Sequence, residues 1–215
     1  MSLKEILIQQ NKTHWLDIGC GRNFEDGFLY LDALPKSLVN RKNRKKYFKI
    51  NLFNPTTQQL RLLGKFDLIR MQHVLEHFSF EEGVIVLRNV AKLLRKDGII
   101  LITVPDLKIN LQKYSKKEYK NWEAFNWWAW KRIPKDSPES FYFSVFAYSL
   151  PITPHKWCYD YEGLKYTLNI THLFKDIKKI PLNNKLASVP FTHNRPEEDL
   201  CIMAKKLTHH HEKIS

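Results

Sequence analysis

Short apolar runs alternate with polar or helical segments along the first half of the chain. Five of these runs have the length and composition of buried β-strands, and they span residues 14–18, 28–33, 47–52, 66–71 and 99–104. A helix is predicted over 80–94, because apolar residues recur there at helical spacing before a polar Lys96-Asp97-Gly98 sequence. Strands that alternate with helices predict an α/β fold, in which a mostly parallel sheet is covered by helices on both faces.

The pattern changes after the fifth predicted strand. Residues 106–157 form an aromatic-rich stretch without clear periodicity, which we interpret as an insertion or cap within a single domain of residues 1–215. A helix at 161–168 and strands at 174–180 and 200–204 are predicted to complete the domain. The tryptophans of the insertion either line a ligand pocket, pack in the interior or mediate self-association, and they are Trp122, Trp127, Trp128 and Trp130.

A glycine turn follows the first predicted strand. Asp17 precedes the sequence Gly19-Cys20-Gly21, and glycine lets a ligand approach the backbone closely. Asp32 ends the second strand, where a carboxylate can accept hydrogen bonds from both hydroxyls of a ribose. The turn lacks the third glycine of a dinucleotide fingerprint, and its connection to Asp32 is too short for a normal crossover helix. A nucleoside without a pyrophosphate is therefore the predicted ligand.

Composition constrains the function only weakly. The 215-residue chain has a formal net charge of +13 and a dense basic run from Arg41 to Lys46, which we interpret as a solvated surface, with a nucleic-acid partner left open. Its three cysteines form no close pair, so neither a disulfide framework nor a zinc site is predicted. A cytoplasmic location is expected, because no apolar stretch is long enough to span a membrane and no signal peptide is recognisable.

Four successive segments resemble the motifs of class I S-adenosylmethionine-dependent methyltransferases. They are Leu16-Asp-Ile-Gly-Cys-Gly21, Leu31-Asp32, the segment 66–77, and Leu93 to Gly98 followed by 102–106. This resemblance implies a Rossmann-like fold with a seven-stranded sheet. The segments 153–157 and 193–196 resemble, more narrowly, methyltransferases often linked to polysaccharide pathways.

The resemblance also implies a site for S-adenosylmethionine at the ends of the first four strands. Asp32 would bind the ribose, Asn51 would lie near the adenine, and the side chain at residue 72 would lie beside the sulfonium. Asn51 stands where the family often has an acid, although an amide can still contact a base edge. The full set of implied cofactor residues is Asp17, Gly19, Cys20, Gly21, Asp32, Asn51, Gln72 and His73.

Methyl transfer from a sulfonium is an in-line displacement, so the protein mainly has to align the acceptor and exclude water. An acceptor hydroxyl would also need a base to remove its proton. The candidates are His77, His155, His73 and Asp106, of which His77 and His155 are favoured. The alternative interpretation is that the residues from His73 to His77 are the polar first turn of a helix with no part in catalysis.

The predicted function is transfer of a methyl group to an oxygen or nitrogen atom of a small-molecule or carbohydrate acceptor. An RNA methyltransferase is an alternative that the basic charge favours, and salt-sensitive RNA binding would support it. A non-catalytic domain that binds S-adenosylmethionine or a protein partner is another, because fold alone does not establish function. A nicotinamide-dependent oxidoreductase is a poorer third option, which competition between the two cofactors would test.

Overall fold

The structure is a computed structural model that describes residues 3–21, 24–117, 154–182 and 198–208. Its strands are β1 (Trp15–Ile18), β2 (Phe28–Asp32), β3 (Tyr47–Lys49), β4 (Phe66–Gln72), β5 (Leu94–Pro105), β6 (Phe174–Lys179) and β7 (Asp199–Lys206). Its helices are α1 (Leu3–Gln9), α2 (Thr57–Leu63), α3 (Phe80–Leu93), α4 (Leu107–Ser115) and α5 (Tyr161–Asn169). Single 3-10 turns lie at Lys36–Leu38, Arg44–Lys46 and Leu75–His77.

The seven strands form one sheet in the order β3-β2-β1-β4-β5-β7-β6. Strands β1 to β5 run parallel, whereas β7 is antiparallel to both of its neighbours. The order reverses direction at β1 and β4, and ligands of open α/β sheets bind at the carboxyl ends of strands beside such a reversal. The predicted α/β fold with a mostly parallel, seven-stranded sheet is confirmed.

Two hydrophobic cores cover the two faces of this sheet. Leu16 and Ile18 of β1 belong to one core, which includes residues of α3 and α5. Trp15 of β1 and Leu68 of β4 belong to the other, together with Leu7 of α1. Alternate residues of β1 thus enter opposite cores, as the two-residue period of a strand requires.

Helix α3 follows from its cap and its apolar face. The Ser79 side chain accepts a hydrogen bond from the Glu82 backbone N–H, and the Glu82 side chain accepts one from the Ser79 backbone N–H, which closes a capping box. Val86, Leu87 and Val90 are fully buried against the sheet. None of the helices in the described ranges is long and apolar enough to cross a membrane.

Some elements differ from the sequence prediction. The stretch 106–157 begins with the regular helix α4, whose N-cap is Asp106, rather than with irregular chain. Helix α2 was not predicted, although Thr56 and Gln59 form a second capping box at its start. The four tryptophans Trp122, Trp127, Trp128 and Trp130 lie outside the described residues.

Candidate functional site

The glycine turn lies at the carboxyl end of β1. Gly19 and Gly21 adopt positive φ angles of 71° and 54°, a region that favours glycine. A Cβ atom on Gly19 would overlap the side chain of Val74, whereas one on Gly21 would meet no atom of the described residues within 4 Å. The turn therefore requires glycine at residue 19 for both conformation and space.

Asp32 ties this turn to the end of β2. One of its carboxylate oxygens accepts a hydrogen bond from the Gly21 backbone N–H at 2.8 Å, and the other accepts one from the Leu34 backbone N–H at 3.0 Å. A carboxylate has about four acceptor positions, so two remain for a ligand. Burial raises the pKa of the Cys20 thiol, as do the charges of Asp17 and Asp32, so this thiol stays neutral.

Asp17 has a partner that the sequence did not reveal. Arg70 lies opposite Asp17 in the β1–β4 register, and both side chains are buried. The Arg70 Nε donates to Asp17 Oδ1 at 2.9 Å, and its Nη2 donates to Oδ2. Its Nη1 lies 3.2 Å from Glu25 Oε1, and its guanidinium covers the ring of Phe28. Burial lowers the pKa of Arg70, but the hydrogen bond and charge of Asp17 outweigh it and raise the pKa, which keeps the guanidinium charged.

Gln72 and His73 follow at the end of β4. The Gln72 Nε2 is buried without a hydrogen-bond partner among the described residues. His73 has a positive φ of 52°, and its backbone N–H donates to the Thr103 carbonyl at 2.9 Å. Its strained backbone is thus held by the neighbouring strand β5.

The His73 ring lies between two carboxylates. Its Nδ1 is 3.2 Å from Glu76 Oε1, and its Nε2 is 3.0 Å from Asp199 Oδ2. Burial lowers the pKa of His73, but the hydrogen bonds to Asp199 and Glu76 outweigh burial and raise the pKa to about 10. His73 is therefore a cation near neutral pH and is not free to accept a proton.

Glu76, His77 and His155 form a second cluster beside it. Glu76 is buried, and its backbone carbonyl accepts hydrogen bonds from the N–H groups of Lys156 at 2.8 Å and Trp157 at 3.2 Å. These bonds bring His155 to His77, with 4.9 Å between ring centroids in an edge-to-face arrangement. Burial raises the pKa of Glu76, but the hydrogen bond and charge of His73 outweigh it and lower the pKa, so Glu76 is an anion.

A cavity opens beside this cluster, between the end of β5 and the segment 154–160. Its wall combines a carboxylate, an imidazole, an amide and aromatic groups. The residues that line it are Glu76, Pro105, Leu107, Asn110, His155, Trp157, Cys158 and Tyr159.

Two of the candidate residues also make local structural contacts. Asp106 is buried; one of its oxygens accepts from the Lys108 backbone N–H at 3.0 Å and the other lies 3.3 Å from the Lys179 Nζ. Asn51 is exposed, and its Oδ1 accepts from the Phe53 backbone N–H at 3.0 Å. Asp106 therefore caps α4, and Asn51 closes the turn after β3.

The remaining candidates form two groups along the carboxyl edge of the parallel strands. The glycine turn and Asp32 make one group, and the segment 72–77 with His155 makes the other. Sequence reasoning missed Arg70 and Asp199, because each contacts its partner through the fold alone. An ionisable residue inside an otherwise apolar strand was the available signal for Arg70.

Comparisons with known proteins agree with this architecture. A family described as a methyltransferase domain matches residues 3–144. No curated protein matches the sequence.

Solved methyltransferases share the fold. An S-adenosylmethionine-dependent methyltransferase from Clostridium acetobutylicum superposes with a TM-score of 0.53 at 11% identity, covering 94% of this chain and 88% of that protein. The magnesium protoporphyrin IX methyltransferase from Synechocystis, solved with bound SAH, gives 0.51 at 12% identity, with 94% and 80% covered. An O-methyltransferase family protein from Burkholderia thailandensis gives 0.53 at 11% identity, with 92% and 52% covered.

Two further solved structures that match this chain are covered over only 54% and 49% of their own length. The chain thus spans about half the length of several of the structures that it matches. The family match covers more than half of this chain, and the sheet order and glycine turn agree with it. The chain therefore belongs to the methyltransferase-domain family, and the resemblance of its motifs to class I S-adenosylmethionine-dependent methyltransferases is confirmed.

Proposed function

We propose that this chain transfers a methyl group from S-adenosylmethionine to an oxygen or nitrogen atom of a small-molecule or carbohydrate acceptor. The observation that carries the proposal is the arrangement of two groups on one sheet edge. A glycine turn bonded to the Asp32 carboxylate lies at the ends of β1 and β2, and a histidine cluster with an adjoining cavity lies past β4. The resemblance of 153–157 to enzymes of polysaccharide pathways favours a sugar-containing acceptor.

The cofactor side of the site fits S-adenosylmethionine. The backbone at Gly19 and Gly21 leaves the ligand unhindered, and Asp32 keeps acceptor positions for the two ribose hydroxyls. The buried Gln72 Nε2 is a donor that the cofactor's amino-acid end would satisfy. Asp17 supports this side of the site indirectly, because its hydrogen bond from Arg70 fixes strand β1, which leads into the glycine turn. When bound, S-adenosylmethionine supplies an electrophilic methyl group on a sulfonium.

On the acceptor side, we assign activation of the acceptor to His77 and His155. Their rings lie edge to face, next to the buried Glu76 anion, and His155 lines the cavity. Trp157, which lines the same cavity and is 43% exposed, offers a face on which a sugar or another flat group can stack. His73 is a positioning residue, because the N–H groups of its charged ring already donate to Glu76 and Asp199. The helix-capping contacts of Asp106 give it a structural role.

Calorimetric titration with S-adenosylmethionine, S-adenosylhomocysteine and NAD tests the cofactor assignment. We expect the first two ligands to bind, and Asp32→Ala to weaken them by about 1–3 kcal/mol through lost charged hydrogen bonds. Asp26→Ala removes an exposed carboxylate from the neighbouring loop and is the matched control, with affinity unchanged. Thermal unfolding of each variant separates loss of binding from loss of fold.

Absence of binding by both S-adenosyl ligands, or equal binding of NAD, would contradict the proposal. If the cofactor binds, an acceptor screen with sugars, nucleoside sugars and phenols follows, read out by release of S-adenosylhomocysteine. Turnover that depends on His77 and His155 supports their assignment, whereas full turnover in both histidine variants refutes it.

A further inference from the structure

Three side chains near the acceptor cavity have the chemistry of metal ligands. Glu76, His77 and His155 each offer one ligand atom, and these atoms all lie within 4.8 Å of one another. Two of them come from the 3-10 turn after β4, and the third comes from the segment 154–160. Two imidazoles and one carboxylate are a set that transition metals such as Zn²⁺ bind well.

Two of these side chains hold polar atoms that lack a partner. The Glu76 Oε2 and the His77 Nδ1 are both buried, and no described group within hydrogen-bond distance satisfies them. Glu76 is only 1% exposed, so water does not satisfy its oxygen freely. Leaving such a group unpaired lowers the free energy of unfolding by about 1–3 kcal/mol, and by more when the group is charged. A bound ion that contacts both atoms would remove this penalty.

The surrounding contacts hold the cluster in place. His73 contacts Glu76 Oε1 at 3.2 Å and is itself bonded to Asp199, so the carboxylate has a fixed orientation. The backbone bonds from Lys156 and Trp157 to the Glu76 carbonyl fix the segment that carries His155. Metal sites in proteins depend on outer contacts of this kind, which orient the ligands before the ion arrives.

We propose that Glu76, His77 and His155 bind a divalent transition-metal ion, with Zn²⁺ as the representative, and leave a fourth coordination position open. Ligand atoms about 2.0–2.1 Å from a tetrahedral zinc ion lie about 3.3–3.4 Å apart. The three ligand atoms lie within 4.8 Å of one another, so the most widely spaced pair would have to close by up to about 1.4–1.5 Å to reach that spacing. Glu76 and His155 also line the cavity, which places the open position beside it.

The metal would activate an acceptor in that cavity. An acceptor hydroxyl that binds at the open position has its pKa lowered by the ion, and its proton leaves to solvent. This use of the metal rests on the proposed function, whereas binding of the metal does not.

A zinc titration tests the site directly. The tail residues His209, His210 and His211 would compete for metal, so all three are first replaced with alanine in the full chain. Zn²⁺ is then titrated against a chromophoric chelator, and we expect one ion per chain. His77→Asn and His155→Asn should each weaken binding at least about tenfold, because each removes one of three ligands. His172→Asn, in an exposed turn after α5, is the matched control and should bind as the parent does.

Cobalt provides a readout that does not depend on any substitution in the cluster. Co²⁺ added to the tail-substituted parent should give visible absorption from a low-symmetry site with nitrogen ligands, and Zn²⁺ should displace it. No ion bound to the parent, or equal binding by the His77→Asn and His155→Asn variants, overturns the proposal. Titration of the same protein with S-adenosylhomocysteine distinguishes failure of the metal site from failure of the cofactor assignment. A parent that binds S-adenosylhomocysteine but no metal refutes the metal site alone. A parent that binds metal but no S-adenosylhomocysteine refutes the cofactor assignment alone.

Discussion

The glycine turn and the histidine cluster lie on the same sheet edge, but they are held together differently. The turn is fixed by neighbouring parallel strands. Asp32 of β2 accepts a hydrogen bond from the Gly21 backbone N–H, and Arg70 of β4 pairs with Asp17 just before the turn. The histidine cluster is fixed by side chains of distant segments, in which Asp199 of β7 and the chain around His155 both meet the turn after β4. We infer that the first region forms with the sheet, whereas the second forms only when late segments of the chain dock.

The largest expected effect comes from the buried ion pair of the first region. Arg70→Met leaves Asp17 buried without its cation, and removing one partner of a buried pair costs about 3–5 kcal/mol. Urea unfolding should show this loss, and the double variant Asp17→Asn/Arg70→Met should recover part of it. Arg95→Met, at a pair whose arginine is half-exposed, is the control and should cost less. A loss below about 1 kcal/mol in Arg70→Met would show that the sheet does not depend on this pair.

A smaller effect is expected at the turn itself. Gly19→Ala meets both a positive φ and the side chain of Val74, and we expect a loss of about 2–4 kcal/mol from strain plus overpacking. Gly21→Ala meets the positive φ alone, so its loss should be about 1–2 kcal/mol. Thermal melts and S-adenosylhomocysteine titrations of the two variants measure the difference. Equal losses would mean that close packing against Val74 does not constrain the turn.

An effect smaller than that of Gly19→Ala is expected in the second region. Asp199→Asn keeps the shape of the side chain but removes one charged partner of His73, which costs about 1.5–3 kcal/mol. The glycine turn and Asp32 lie at the ends of β1 and β2, and β4 and β5 lie between those strands and β7. S-adenosylhomocysteine affinity should therefore stay within about twofold of the parent, although Asp199 contacts His73. Urea unfolding and calorimetry on the same variant check both statements. A parallel loss of nucleoside affinity would show that the two regions are coupled rather than separate.

Much of the sheet was predictable because buried strands and helices have a characteristic local pattern of apolar residues. The strands at 28–33 and 66–71 and the helix at 80–94 were predicted within about one residue of Phe28–Asp32, Phe66–Gln72 and Phe80–Leu93. The strand at 47–52 is shorter, Tyr47–Lys49, because its hydrogen bonding to β2 ends at Asp32. Strand β5 is longer than 99–104, since it begins at Leu94 directly after α3 and pairs there with Phe66 before a register shift.

The site was predictable only where its residues share a short segment. The glycine turn and Asp32 are neighbours in sequence and carry a recognisable spacing. His155 was a candidate, but its approach to His77 depends on backbone hydrogen bonds from Lys156 and Trp157 to the Glu76 carbonyl. A contact between segments so far apart in the sequence cannot be predicted from the pattern of apolar residues. The proposed metal ligands Glu76, His77 and His155 were not predicted as a set, because cysteine spacing was the only metal signal considered in the sequence.

The position of β7 affects how this protein is made. It lies between β5 and β6, and it is the last strand of the described chain to leave the ribosome. Until residues 199–206 emerge, β5 and β6 have no strand between them, and β5 presents an apolar edge from Ile99 to Val104. Unpaired edges of this kind recruit other chains into aggregates. We therefore expect a nascent chain stalled before residue 199 to aggregate more readily than the full chain.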